Sequence, residues 1–159
     1  MSDSVKKGAA RAVADISSGL LLASIEIKAS PERVFRAIAS EEIAMWWGSP
    51  DLYRVTRWSG DLQVGASWRS EGVGHDGVPF EVSGEFLEID RPRKLVHTWK
   101  PQWVSGPATK VTYMLEPIEG GTRVTVRHEG FGDAVESCRS HANGWERVFT
   151  WLATWLEAK

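Results

Sequence analysis

The chain lacks the features that mark several large classes of protein. It has a single cysteine, Cys138, so no disulfide can form within it, and this favours a reducing, cytoplasmic location. No apolar run approaches the roughly 20 residues that a membrane-spanning helix needs. Basic residues form no long run and the net charge is −2, so we expect no nucleic-acid partner. These absences leave a globular protein without a membrane span.

The usual signatures of catalysis and metal binding are also missing. The sequence has no nucleophile motif, no phosphate-binding loop and no CxxC pair. The histidines, His75, His97, His128 and His141, are not paired at metal-ligand spacing. We therefore expect no metal and no cofactor, and the sequence identifies no catalytic residue.

Tryptophan, by contrast, is abundant, with nine in 159 residues. Its side chain combines a large apolar area with one N–H donor, so it is rarely fully buried in an aliphatic core. Two interpretations stay open, a bulky core in a small domain and the lining of a broad apolar cavity.

Hydrophobic periodicity predicts the order of elements. Apolar and polar residues alternate over residues 21–27, which indicates a half-buried strand. Ser30-Pro31 is typical of a helix start, and a second short helix is expected from Ser40 towards Trp47. Strands follow up to Glu129, with a hairpin turn at Glu119-Gly120.

The last segment is predicted to be a long helix. Apolar residues recur at spacings of three and four from Cys138 to Leu156. Asp133 and Glu136 resemble a capping box, which favours a start near Asp133. Asn143-Gly144 interrupts the pattern, so either the helix begins at Asn143 or the glycine permits close approach to a strand.

The predicted fold is therefore α+β. We expect a curved antiparallel sheet of about six to seven strands around a long C-terminal helix, with two short helices after the first strand. Residues 1–18 are expected to be a flexible tail, and residues 19–159 to form the domain.

Several motifs resemble a known superfamily. IEIKASPERVF at residues 25–35 resembles the opening of the START-like, or SRPBCC, superfamily. MWWG at residues 45–48, DRPRKLVHTW at 90–99, GTRV at 121–124 and Gly144-Trp145 resemble its branch of homologues of the activator of the 90-kilodalton heat-shock-protein ATPase. The resemblance spans residues 20–157 and implies a helix-grip fold with an internal cavity. Because the superfamily includes carriers, receptors, cyclases and co-chaperones, the fold does not determine the activity.

The period of two along strands places several polar side chains on the inner face. His97 lies between Leu95 and Trp99, so it faces inward if they do. The same rule turns Tyr113 and His128 inward. On the helix, His141 lies one turn before Trp145 on the apolar stripe. The candidate ligand contacts are Trp68, His97, Trp99, Tyr113, His128, His141 and Trp145, with Trp46 near the mouth.

The leading hypothesis is that a small apolar or aromatic molecule binds between the sheet and the C-terminal helix. One alternative is a chaperone-ATPase activator-like or stress-response interaction protein, although 159 residues leave no room for the extra chaperone-binding domain of the eukaryotic activators. Another is a cyclase or hydrolase that uses a cavity histidine as general base. A homodimer stays open, and Trp103 is expected either to rim the cavity or to join a subunit contact.

Overall fold

The computed structural model describes residues 8–158, which form nine strands in one curved antiparallel sheet and three helices. The strands are β1 Arg11–Asp15, β2 Leu20–Ile27, β3 Gly48–Ser49, β4 Tyr53–Gly60, β5 Ser67–Gly74, β6 Pro79–Asp90, β7 Lys94–Pro101, β8 Thr109–Ile118 and β9 Gly121–Glu129. The helices are α1 Pro31–Ile38, α2 Ile43–Trp46 and α3 Val135–Glu157. The strand order is β1-β2-β9-β8-β7-β6-β5-β4-β3. The α+β, helix-grip prediction is confirmed, with nine strands rather than six or seven.

The strands follow the predicted alternation. Leu21, Ala23, Ile25 and Ile27 of β2 are all buried, and β2 pairs along its whole length with β9. The predicted hairpin joins β8 to β9, where Gly120 adopts a φ of +81° that suits glycine in the turn.

Helix α1 begins as the sequence indicates. Ser30 Oγ accepts a hydrogen bond from the Arg33 N–H at 3.2 Å, and Pro31 occupies the first turn, where a missing N–H costs nothing. Val34 and Phe35 are fully buried against the rest of the core.

The N-terminal segment differs from the prediction. Arg11–Asp15, expected to lie in a flexible tail, form the edge strand β1, which pairs antiparallel with β2. The Ala12 N–H donates to the Glu146 carboxylate of α3 at 3.0 Å, and Ala12 and Ala14 pack against the core. Small alanines give too weak an alternation to reveal this strand in the sequence. Residues 1–7 of the expected tail lie outside the described residues.

The structure shows where helix α3 begins. It begins at Val135 and runs through Asn143-Gly144. The N-cap is Ala134, which provides no side-chain hydrogen bond. The predicted capping box is therefore wrong, because Asp133 lies one residue before the N-cap position. Gly144 does not serve close packing either, because a Cβ built there meets no atom within 4 Å. No helix within residues 8–158 is long and apolar enough to cross a membrane.

Candidate ligand cavity

A cavity of about 370 Å³ lies between the inner face of the sheet and α3. Its volume falls in the range of small-molecule sites. The aromatic lining residues are Trp47, Tyr53, Trp58, Trp68, Phe80, Phe86, Trp99, Trp103, Tyr113 and Trp145. The aliphatic ones are Ile38, Ile43, Val55, Val82 and Val148, and the others are Ser70, His97, Ser140, His141, Gly144 and Arg147. Most of the tryptophan excess is therefore used to line a cavity.

Six of the eight predicted site residues line this cavity together. They are Trp68, His97, Trp99, Tyr113, His141 and Trp145. Trp46 does not line it: the side chain is buried in the core, where its Nε1–H donates to the Ala37 carbonyl at 2.9 Å. The neighbouring Trp47 lines the cavity instead, because successive residues at a helix end point in different directions.

His128 is the second predicted residue that does not line the cavity. It is completely buried behind the wall, between Trp145 and Thr109. The Trp145 Nε1–H donates to His128 Nδ1 at 3.1 Å, so the ring proton lies on Nε2, 2.7 Å from Thr109 Oγ1. The Thr109 hydroxyl in turn donates to the Trp99 carbonyl at 3.2 Å. His128 thus holds Trp145 in place rather than offering a free nitrogen to a ligand.

His141 lines the cavity, but hydrogen bonds occupy both of its ring nitrogens, as they do in His128. The Trp99 Nε1–H donates to its Nε2 at 3.2 Å, and its Nδ1–H lies 2.8 Å from the Ser137 carbonyl. Burial lowers the pKa values of both His128 and His141, which keeps them neutral, as these hydrogen bonds require. The two histidines therefore orient the indoles of Trp99 and Trp145.

His97 and Tyr113 are different, because each keeps an unused polar atom. His97 Nδ1 donates to the Thr98 carbonyl at 2.8 Å, which leaves Nε2 as an acceptor without a partner among residues 8–158. Burial lowers the pKa of His97 to about 4, so it is neutral at pH 7. The Tyr113 hydroxyl likewise has no described partner, and burial raises its pKa. Neither atom is fully enclosed by protein, so both are available to a ligand in the cavity.

Two glycines on the strands make room for aromatic rings of the cavity wall. A Cβ on Gly72 would lie 2.4 Å from Phe80 Cζ, and one on Gly84 would lie 2.6 Å from Trp68 Nε1 and 2.1 Å from the Thr98 oxygen. The rings can come this close to the backbone only because these positions have no side chain. Trp68 Nε1 is buried there without a hydrogen-bond acceptor among the described residues. The sequence analysis did not predict this close packing, although Gly72 and Gly84, as glycines within strands, are the signal that would have indicated it.

The rim of the cavity carries Trp103, which is 64% exposed and meets Phe80 edge to face at 6.1 Å. The Lys100 ammonium donates to the carbonyls of Val104 and Gly106 and so fixes the loop that presents Trp103. Trp103 therefore lies at the rim, one of the two roles expected for it, and a subunit contact stays a prediction.

Comparison with known proteins agrees with this architecture. The sequence profile of the family described as activator of Hsp90 ATPase homolog 1-like protein matches residues 28–157. The chain belongs to this family. A search of curated proteins found no match.

Solved structures share the fold at low sequence identity. A Rhodobacter sphaeroides protein is 21% identical with a TM-score of 0.80, and the match covers 94% of this chain and 99% of that one. Protein Ms6760 from Mycobacterium smegmatis is 18% identical with a TM-score of 0.77, over 93% and 96% of the two chains. The AHSA1-like protein from Aeromonas hydrophila is 20% identical with a TM-score of 0.69, over 86% and 92%. At these identities the likeness concerns the fold alone.

Proposed function

We propose that this protein binds a small, planar aromatic molecule in the cavity between the sheet and α3. The observation that carries the proposal is a cavity of about 370 Å³ whose walls include ten indole, phenol and phenyl rings. Well-packed small domains rarely leave such a volume empty of side chains, because voids cost contacts and stability. An aromatic ligand would regain those contacts.

The walls are already in place for such a ligand. Trp47 and Trp99 stack with ring centroids 6.0 Å apart and planes 22° apart, and both are held by hydrogen bonds from their indole N–H groups. A preformed wall reduces the ordering cost of binding. The free His97 Nε2 and Tyr113 hydroxyl would then orient the ligand by accepting and donating one hydrogen bond each.

The same hydrogen bonds weaken the enzymatic alternative. A general base needs an available lone pair, whereas those of His128 and His141 are occupied by tryptophan N–H groups. His97 has a free nitrogen, but a pKa of about 4 makes it a weak base at neutral pH. Binding rather than proton transfer is the function that this geometry favours.

Gly144 offers a direct test. It lines the cavity, and a Cβ there points into open space, so Gly144→Leu would fill the cavity without disturbing the helix. The matched control is Asn143→Leu, which adds the same side chain at an exposed neighbouring position. The probe is the uncharged fluorophore N-phenyl-1-naphthylamine, whose emission rises on transfer from water to an apolar site.

We expect saturable binding of the probe to the natural protein and to Asn143→Leu, with a Kd in the micromolar range, about −8 kcal/mol. Gly144→Leu should weaken binding at least tenfold while its circular dichroism spectrum stays unchanged. Equal binding by the two leucine variants would place the probe elsewhere and overturn the proposal. No saturable binding by a broad panel of aromatic compounds would also overturn it and favour the interaction-protein alternative.

A further inference from the structure

One charged side chain borders the cavity. Arg147 of α3 is the only lining residue with a formal charge within the described part of the chain. Its guanidinium makes no ion pair with residues 8–158, whereas Arg33, Arg36 and Arg139 are each paired with a glutamate. An unpaired arginine at the mouth of an apolar cavity leaves a positive charge facing whatever enters.

Tyr53 adds a hydrogen-bond donor at the same place. Its hydroxyl oxygen accepts the Trp47 Nε1–H at 3.3 Å, and the hydroxyl hydrogen has no acceptor among the described residues. The positive charge of Arg147 acts on this phenol, yet burial dominates and raises the pKa of Tyr53, so the O–H persists at neutral pH. Arg147 and Tyr53 together can present N–H and O–H groups to one anion.

Over the described part of the chain, the interior offers no second charged side chain to a negative group. His97 is neutral, and the Tyr113, Ser70 and Ser140 hydroxyls carry no charge. Burying an uncompensated anion there would be costly. A charged ligand would therefore keep its anionic group at the rim and its rings inside.

We propose that the preferred ligand is an aromatic acid, a planar apolar body ending in one anionic group such as a carboxylate or sulfonate. The body lies against Trp47 and Trp99, and the anionic group meets Arg147 and Tyr53 at the mouth. This inference rests on the proposed function and adds a class of ligand to it.

Two related fluorophores test the charge separately from the cavity. The compound 1-anilinonaphthalene-8-sulfonate carries a sulfonate on the skeleton of N-phenyl-1-naphthylamine, so the ratio of their dissociation constants reports on the anionic group. The test variant is Arg147→Gln. The matched control is Arg139→Gln, which removes an exposed arginine of the same helix that does not line the cavity.

We expect the natural protein and Arg139→Gln to bind the sulfonate about 5- to 10-fold more tightly than the uncharged probe, a modest factor because Arg147 is exposed to solvent. Arg147→Gln should bring the ratio close to one, because it weakens binding of the sulfonate more than binding of the uncharged probe. An unchanged ratio, or an equal loss of affinity for both probes, would overturn the inference while the cavity proposal stands. If neither probe binds the natural protein, the proposed function itself fails.

Discussion

The two halves of the sheet meet α3 in different ways. Helix α3 packs directly on β1 and β2, where completely buried residues such as Leu21, Phe149 and Leu152 form a dense core. The backbone of α3 stands away from β4–β7, and the space between them is lined by aromatic rings, two of which lie close to Gly72 and Gly84. We therefore expect the packed half to contribute more to stability than the half that borders the cavity. Truncations should therefore cost most in the packed half.

The largest expected effect follows from truncation of Phe149 in the packed half. Phe149→Ala should lower the free energy of unfolding by about 3–5 kcal/mol, since the side chain is fully buried. Trp103→Ala at the rim should cost less than about 1 kcal/mol, because most of that side chain is already in water. Urea unfolding of both variants checks the difference. Equal losses would mean that the rim is as tightly packed as the core.

Acid should destabilise the protein through the cavity half. The unfolded state takes up a proton on His97 near pH 6.5, whereas the folded state does so only near pH 4. Between these values the unfolded state binds more protons, so stability falls as the pH decreases from 6.5 to 4, by about 3 kcal/mol for this residue. His128 and His141, whose pKa values are also lowered, add to the loss.

Chemical unfolding at a series of pH values measures this loss. His97→Gln should reduce the slope of stability against pH by up to about 1.4 kcal/mol per pH unit. A slope that the substitution leaves unchanged would show that His97 is not the buried neutral group described above.

The edge strand β1 belongs to the packed half and should contribute a smaller amount. Deleting residues 1–16 removes its ladder with β2 and the hydrogen bond from Ala12 to Glu146, and should cost about 2 kcal/mol. Deleting residues 1–7 alone is the control that isolates the strand. A longer deletion without any fall in melting temperature would restore the view that residues 1–18 are only a tail.

Substitution of Gly144 has the smallest expected effect on stability, and it should stabilise the protein rather than destabilise it. Gly144→Ala should stabilise the protein by about 0.5–1 kcal/mol, because alanine favours a helix interior and its methyl group meets no atom within 4 Å. Thermal unfolding checks this gain. Destabilisation would mean that the cavity beside Gly144 is not open.

The sequence predicted what depends on periodicity. Alternation over residues 21–27 gave β2, and the inward placement of His97, Tyr113 and Trp99 followed from the same rule. It could not separate Trp46 from Trp47, because the direction of a side chain at a helix end depends on where the helix stops. The sequence also could not show that His128 lies behind the cavity wall. A period of two predicts the face of the strand on which a side chain lies, but not whether that side chain reaches the cavity. Arg147 had no distinguishing pattern, because an exposed arginine on a helix is ordinary.

The central claim, a ligand cavity lined by tryptophans, is tested most directly by the indole N–H signals of the nitrogen-15-labelled protein. On titration with N-phenyl-1-naphthylamine, the signals of Trp47, Trp68, Trp99 and Trp145 should shift through ring currents, whereas those of Trp46 and Trp155, which do not line the cavity, should stay in place. Variants that replace one tryptophan at a time assign the signals. Shifts of the Trp46 and Trp155 signals, with those of Trp47, Trp68, Trp99 and Trp145 unchanged, would contradict the account.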